Sequence, residues 1–139
     1  MNARIDDKTA QIETFCDELK QIIPEEFEEY EKNFEKRAAC ERYFEKIVEA
    51  VVDLAYLVIK DAGLKMPEDD KEAFDSLCKA KIITPHLEGR LKDAKGMRNI
   101  IAHEYGRVDD RQVFHALTEE ILADAHEFVE QISSRKRRD

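Results

Sequence analysis

Four residue types suited to phosphate chemistry fall close together in the segment KGMRNIIAHEYG, residues 95–106: Arg98, Asn99, His103 and Tyr105. Arginine offers a planar fork for phosphate oxygens and stays charged at any working pH. Histidine is the side chain whose unperturbed pKa lies near neutrality, so it can take up and return a proton. Together they form a minimal kit for phosphodiester transfer without a metal. In RNA the nucleophile is already present as the 2′-hydroxyl. The protein then has only to deprotonate it, stabilise the extra negative charge on phosphorus and protonate the leaving oxygen. DNA lacks that nucleophile. An Arg and a His five apart recur often by chance, so the spacing alone carries little weight.

The element that must position these side chains is a helix. Thr84 is a good N-cap, followed by Pro85 at the first helical position, where its missing N–H costs nothing, and Gly106 is a natural stop. At about 100° per residue, Leu87, Leu91, Ala94, Arg98, Ile101 and Tyr105 share one stripe. Arg98 is therefore written into an apolar face and needs a partner, for which Glu41 and Glu45 on a preceding helix are the candidates. Lys92, Gly96, Asn99 and His103 occupy a different face. Glycine in a helix interior costs roughly 1 kcal/mol relative to alanine, so Gly96 points to close approach by another backbone or a ligand. Arg98 and His103 lie about 140° apart around an ideal helix. One copy of the helix does not aim both at one small target, and a second copy across a dimer interface is one way to bring them together.

The rest of the chain predicts scaffold. Ile5, Ile12, Phe15, Cys16, Leu19, Ile22 and Ile23 recur at helical spacing over residues 4–22, and Pro24 ends that helix. Phe27, Tyr30, Phe34, Phe44, Ile47, Val48, Val51, Leu54, Ala55, Val58 and Ile59 predict one long second helix closing near Gly63. A short third helix over residues 68–80 buries Phe74, Leu77 and Cys78. After the motif helix, Asp109 with Gln112 forms a capping box that opens a last helix burying Val113, Phe114, Leu117, Ile121, Phe128 and Ile132. The expectation is an all-α bundle of about five helices forming a single domain over residues 1–139.

Composition agrees. The 139 residues are long enough to bury one core without a staple, and 42% hydrophobic with 40% charged residues is the profile of amphipathic helices. Cys16, Cys40 and Cys78 are far apart and form no C-x-x-C pair, which argues against a disulfide framework or zinc site. No apolar run approaches a membrane span of roughly 20 residues, and residues 1–11 have no signal-peptide core. A soluble, cytoplasmic protein is expected. A net charge of -9 argues against a general nucleic-acid coat. The positive charge concentrates in residues 79–111, where Lys92, Lys95 and Arg98 are candidate phosphate contacts. The tail SSRKRRD is expected to be a frayed end. His115, Glu119 and His126 share a face, but the two histidines are about 16 Å apart along the helix axis, too far for one ion. No metal site or cofactor is expected.

RNIIAHEY followed by GRVDD resembles the R-x4-H-x-Y signature of HEPN-domain proteins, with HepT-like toxins as the nearest branch. The resemblance extends over nearly the whole chain, including ERYFEKIVEAVVDLA in the second helix, the Pro-started motif helix and the Asp-Asp start of the last one. It implies an all-helical homodimer in which two motifs face a shared cleft. It further implies a metal-independent endoribonuclease toxin, with Arg98, Asn99 and His103 at its centre. The implied partner is a small nucleotidyltransferase antitoxin that attaches AMP to the motif tyrosine, here Tyr105. A bulky anion two residues from His103 would crowd a phosphate-binding cleft. Two other functions stay open at this point: a non-catalytic subunit that docks a nucleotidyltransferase and presents Tyr105 as its substrate, and a nucleotide-binding module using the same patch.

Overall fold

The computed structural model describes residues 2–103 and 108–138. Its first helix, α1 (Ala3–Ile22), starts where the Asn2 side chain accepts the Arg4 and Ile5 N–H groups, and buries Ile5, Ile12, Cys16 and Leu19 along one face. Ile23, immediately before Pro24, turns extended and ends it. The expected long second helix is two helices, α2 (Phe27–Lys32) and α3 (Phe34–Asp61). Asn33 separates them with extended backbone (φ -107°, ψ 95°), and its side chain caps α3 by accepting the Lys36 N–H. The break resets the helical phase, which is why Phe34 does not continue the buried stripe and is 70% exposed.

Helix α3 is the spine of the core, burying Phe44, Ile47, Val51, Leu54, Ala55, Val58 and Ile59. It ends at Gly63, whose φ of +70° suits a residue without Cβ. The Leu64 N–H there reaches back to the Ile59 carbonyl and that of Gly63 to Lys60. Helix α4 (Asp70–Lys79), capped by Asp69, buries Phe74 and Leu77, with Cys78 packed at the core's edge. It closes with the same kind of turn, but on Lys81 at φ 62°.

Helix α5 (Pro85–His103) begins as expected: Thr84 Oγ1 accepts the Leu87 N–H at 3.2 Å. The Thr84 N–H itself donates to Gln131 at 3.0 Å, tying the start of α5 to the last helix. Leu87, Leu91 and Ile101 are buried, and Ala94 packs against the core. Helix α6 (Asp110–His115) opens on Asp109, which accepts the Arg111 and Gln112 N–H groups. It passes through a π turn (Ala116–Glu120) into α7 (Ile121–Arg138). The Thr118 hydroxyl in this turn donates to the Phe114 carbonyl one turn back, in α6. Helix α7 runs on through Arg138, and within it Arg135 is ion-paired with Asp61 at 3.1 Å.

No strand occurs among the described residues, and one hydrophobic cluster gathers side chains from every helix. Phe74 and Phe128 meet edge to face at its centre. Phe27, Tyr30 and Phe114 close its end, with Phe114 only partly buried. None of the helices in the described residues is long and apolar enough to cross a membrane.

Candidate active site

Helices α3 and α5 run antiparallel, so residues later in α5 face residues earlier in α3. Lys95 and Arg98 line a cavity of roughly 280 Å³ with Val48, Glu49, Val52, Asp53 and Tyr56, whereas Ile101 and Ala102 sit opposite Ala38, Glu41 and Glu45. This register decides the partner of Arg98. It is Glu49, at 2.9 Å from Nη2, and not Glu41 or Glu45. Those two lie earlier in α3, nearer its N-terminus and beside Ile101. The Arg98 side chain is 20% exposed. Its Nη1 donates to Asn99 Oδ1 at the long distance of 3.5 Å, and its buried Nε finds no acceptor among the described residues. A charged donor left unmet is costly. The guanidinium therefore lines the cavity with hydrogen-bonding capacity to spare.

His103 is the last residue of α5 and is exposed; Asn99, one turn before it, is partly buried. Tyr105 and Gly106 lie outside the described residues. The structure thus brings Arg98 and Asn99 together and leaves His103 facing solvent at the helix end.

The other candidate residues take different positions from those expected. Lys92 is not an open phosphate contact: it hydrogen-bonds Asp75 of α4 and lies 3.7 Å from Glu88. The bond from Lys92 holds the Asp75 carboxyl below the usual carboxylate range and raises the ammonium in turn. Lys95 is paired with Asp70 at 2.9 Å, and the same Asp70 accepts the Tyr56 hydroxyl. Both lysines fasten α4 to α5. Gly96 makes no close approach within the chain, since a Cβ built there meets nothing within 4 Å.

Burial pushes the Cys16 and Cys40 thiols up to about 11, and desolvation raises Cys78 as well. These thiols stay protonated near neutral pH and are poor nucleophiles. Asp124, almost fully buried, is paired with Arg90 at 3.3 Å; desolvation raises its pKa despite the guanidinium. Among the described residues no group of three His, Cys, Asp or Glu side chains is arranged to hold a metal ion.

Comparison with known proteins places the chain in a family. The family model described as ribonuclease HepT-like matches residues 12–132. The chain belongs to the HepT-like ribonuclease family. It is 30% identical over 104 residues to a tRNA nuclease HepT of Aphanizomenon flos-aquae, covering 75% of this chain and 71% of that one. It is 25% identical over 134 residues to an mRNA nuclease HepT of Shewanella oneidensis, covering 96% of this chain and 99% of that one. The solved structure of a tri-AMPylated Shewanella oneidensis HEPN toxin in complex with an MNT antitoxin superposes with a TM-score of 0.89 at 25% identity, covering 96% and 99% of the two chains. The HepT-like fold is therefore the all-helical one described above, and this chain is an endoribonuclease by family.

Two residues that the sequence reading did not single out stand beside Arg98: Glu49, its partner, and Arg42, which reaches the same carboxylate at 3.8 Å. Their signal was present as spacing. Arg42, Glu45 and Glu49 fall at i, i+3 and i+7, which puts them on one side of α3.

Proposed function

We propose that this HepT-like ribonuclease is the toxin half of a toxin–antitoxin pair and that it cuts RNA without a metal. The observation that carries this reading is the state of Arg98. It is a mostly buried guanidinium lining a cavity, with a donor unmet among the described residues, five residues before a solvent-facing histidine on the same helix.

In the proposed reaction, His103 takes the proton from a ribose 2′-hydroxyl, and the oxygen attacks the adjacent phosphorus. Arg98 holds the phosphate oxygens and offsets the charge that builds there, with Asn99 orienting the guanidinium. The 5′-oxygen leaves with a proton from a second His103, and the upstream product ends in a 2′,3′-cyclic phosphate. Two copies of the motif supply the two proton-transfer roles. The angle of about 140° between Arg98 and His103 on one helix, and the unfilled space at Gly96, both favour a homodimer. Lys95 borders the Arg98 cavity already paired with Asp70, so it acts, like Lys92, through the α4–α5 packing.

The toxin is held in check by a nucleotidyltransferase antitoxin that attaches AMP to Tyr105. The AMP phosphate competes with RNA for the cleft. The Shewanella oneidensis toxin, AMPylated and in complex with an MNT antitoxin, supports this pairing.

The test is incubation of the purified, unmodified protein in EDTA with a single-stranded RNA and with the DNA of the same sequence. Cleavage of RNA alone, leaving cyclic phosphate ends, is expected. Equal cleavage of both strands contradicts the mechanism. AMPylation of Tyr105 by a nucleotidyltransferase, with no RNA cleavage by the unmodified protein, favours the non-catalytic subunit instead.

A further inference from the structure

We propose that Arg42 is a second phosphate-binding residue, and that Glu49 is an internal carboxylate standing where an RNA phosphate binds. The proposal rests on Arg98 being the phosphate ligand of the ribonuclease site. The geometry is a single carboxylate oxygen shared by two guanidinium groups. Glu49 Oε1 lies 2.9 Å from Arg98 Nη2 on one side and 3.8 Å from Arg42 Nη1 on the other. An oxygen anion between two arginines is also the arrangement in which arginine forks grip a phosphodiester, whose two free oxygens can serve one guanidinium each.

The carboxylate is held loosely enough to exchange. Glu49 is 41% exposed, and Arg42 is 60% exposed and contacts Glu49 only at the outer limit of an ion pair. Exposed pairs of this kind contribute little. On the Arg98 side the resting pairing leaves Nε without an acceptor. A phosphate that enters displaces Glu49 toward solvent. Arg42 keeps Glu45, at 3.4 Å, as its remaining carboxylate. Lys95 with Asp70, and Asp53, complete the charged lining of the cavity. Arg42 lies toward the α3 N-terminus, on the same side as the end of α5 that carries His103. It therefore extends the phosphate site along the α3–α5 seam toward the catalytic histidine.

RNA binding, measured without turnover, tests this. In a His103→Ala background, the affinity for a dye-labelled single-stranded RNA of mixed sequence is followed by fluorescence anisotropy across a salt series. Arg42→Ala is expected to weaken binding several-fold and to flatten the slope of log K against log salt by about 0.7, the value for one lost phosphate contact on a single strand. Glu49→Gln, which keeps the shape and removes the charge, is expected to tighten binding several-fold. Unchanged affinity and slope with Arg42→Ala would overturn the proposal, as would weaker binding with Glu49→Gln. Arg98→Ala in the same series separates the two levels of the argument. If it weakens binding while Arg42→Ala does not, the second arginine is wrong; if it has no effect, the reading of Arg98 fails first.

Discussion

At the residue scale, two buried side-chain polar groups among the described residues are unmet, with different consequences. The Tyr30 hydroxyl is fully buried with no hydrogen-bond partner among the described residues, and burial drives its pKa far above the ordinary phenol value. Nothing in the proposed chemistry uses it. Tyr30→Phe is expected to raise stability by about 1 kcal/mol, the cost of an unsatisfied buried hydroxyl, measured by denaturant unfolding. A loss of stability would show that the hydroxyl has a partner. The Arg98 Nε is the other case, and there the unmet donor belongs to the site. That Arg98 needed an acidic partner was legible from its place in an apolar stripe. Which acid it takes was not, because Glu41, Glu45 and Glu49 all lie on one helix and only the antiparallel packing of α3 against α5 selects among them.

Local signals decided most of the elements. The caps at Thr84 and Asp109 act within three residues of themselves, so they could be read directly and the structure has both. The break at Asn33 was also written locally, as a good N-cap residue, but the apolar periodicity of Phe27, Tyr30 and Phe34 ran across it and suggested one helix. Residues whose role depends on a neighbouring helix were the least legible. Lys92 and Lys95 had the appearance of a free basic patch until α4 placed Asp75 and Asp70 beside them.

Two predictions belong to these elements. Lys81 closes α4 at φ 62°, a conformation that costs a side chain with Cβ about 1–2 kcal/mol. Part of that gain is offset by the freedom glycine adds to the unfolded chain. Lys81→Gly is therefore expected to stabilise the protein modestly, seen as a higher thermal midpoint. The second concerns acid. Because Lys92 depresses the folded-state pKa of Asp75, the folded protein binds fewer protons there than the unfolded chain. The stability from this contact is present above the ordinary carboxylate pKa of about 4 and is lost as pH falls through the depressed value. Lys92→Met should remove that part of the acid dependence. A thermal-midpoint profile below about pH 4 as steep as that of the wild type would exclude the link.

At the scale of the whole molecule, three features without a partner among the described residues of the chain lie near the motif. Gly96 faces open space, Phe34 is exposed beside the end of α5, and His103 points to solvent. The homodimer proposed above would bring a second chain near these positions. Gly96→Ala tests it, because alanine is the better helix former by about 1 kcal/mol and meets no atom within the chain. The variant is expected to be more stable as a monomer but to dimerise more weakly, which sedimentation resolves from unfolding. Equal dimerisation would place Gly96 outside the interface.

Whether His103 moves the proton in the proposed metal-free RNA cleavage is read from the cleavage rates of wild type and His103→Ala in EDTA at matched thermal stability. A positioned proton-transfer group is worth about 10²–10⁴-fold in rate. A loss of at least that lower size, with RNA binding retained, is predicted. His103→Ala cutting RNA as fast as the wild type would contradict the account.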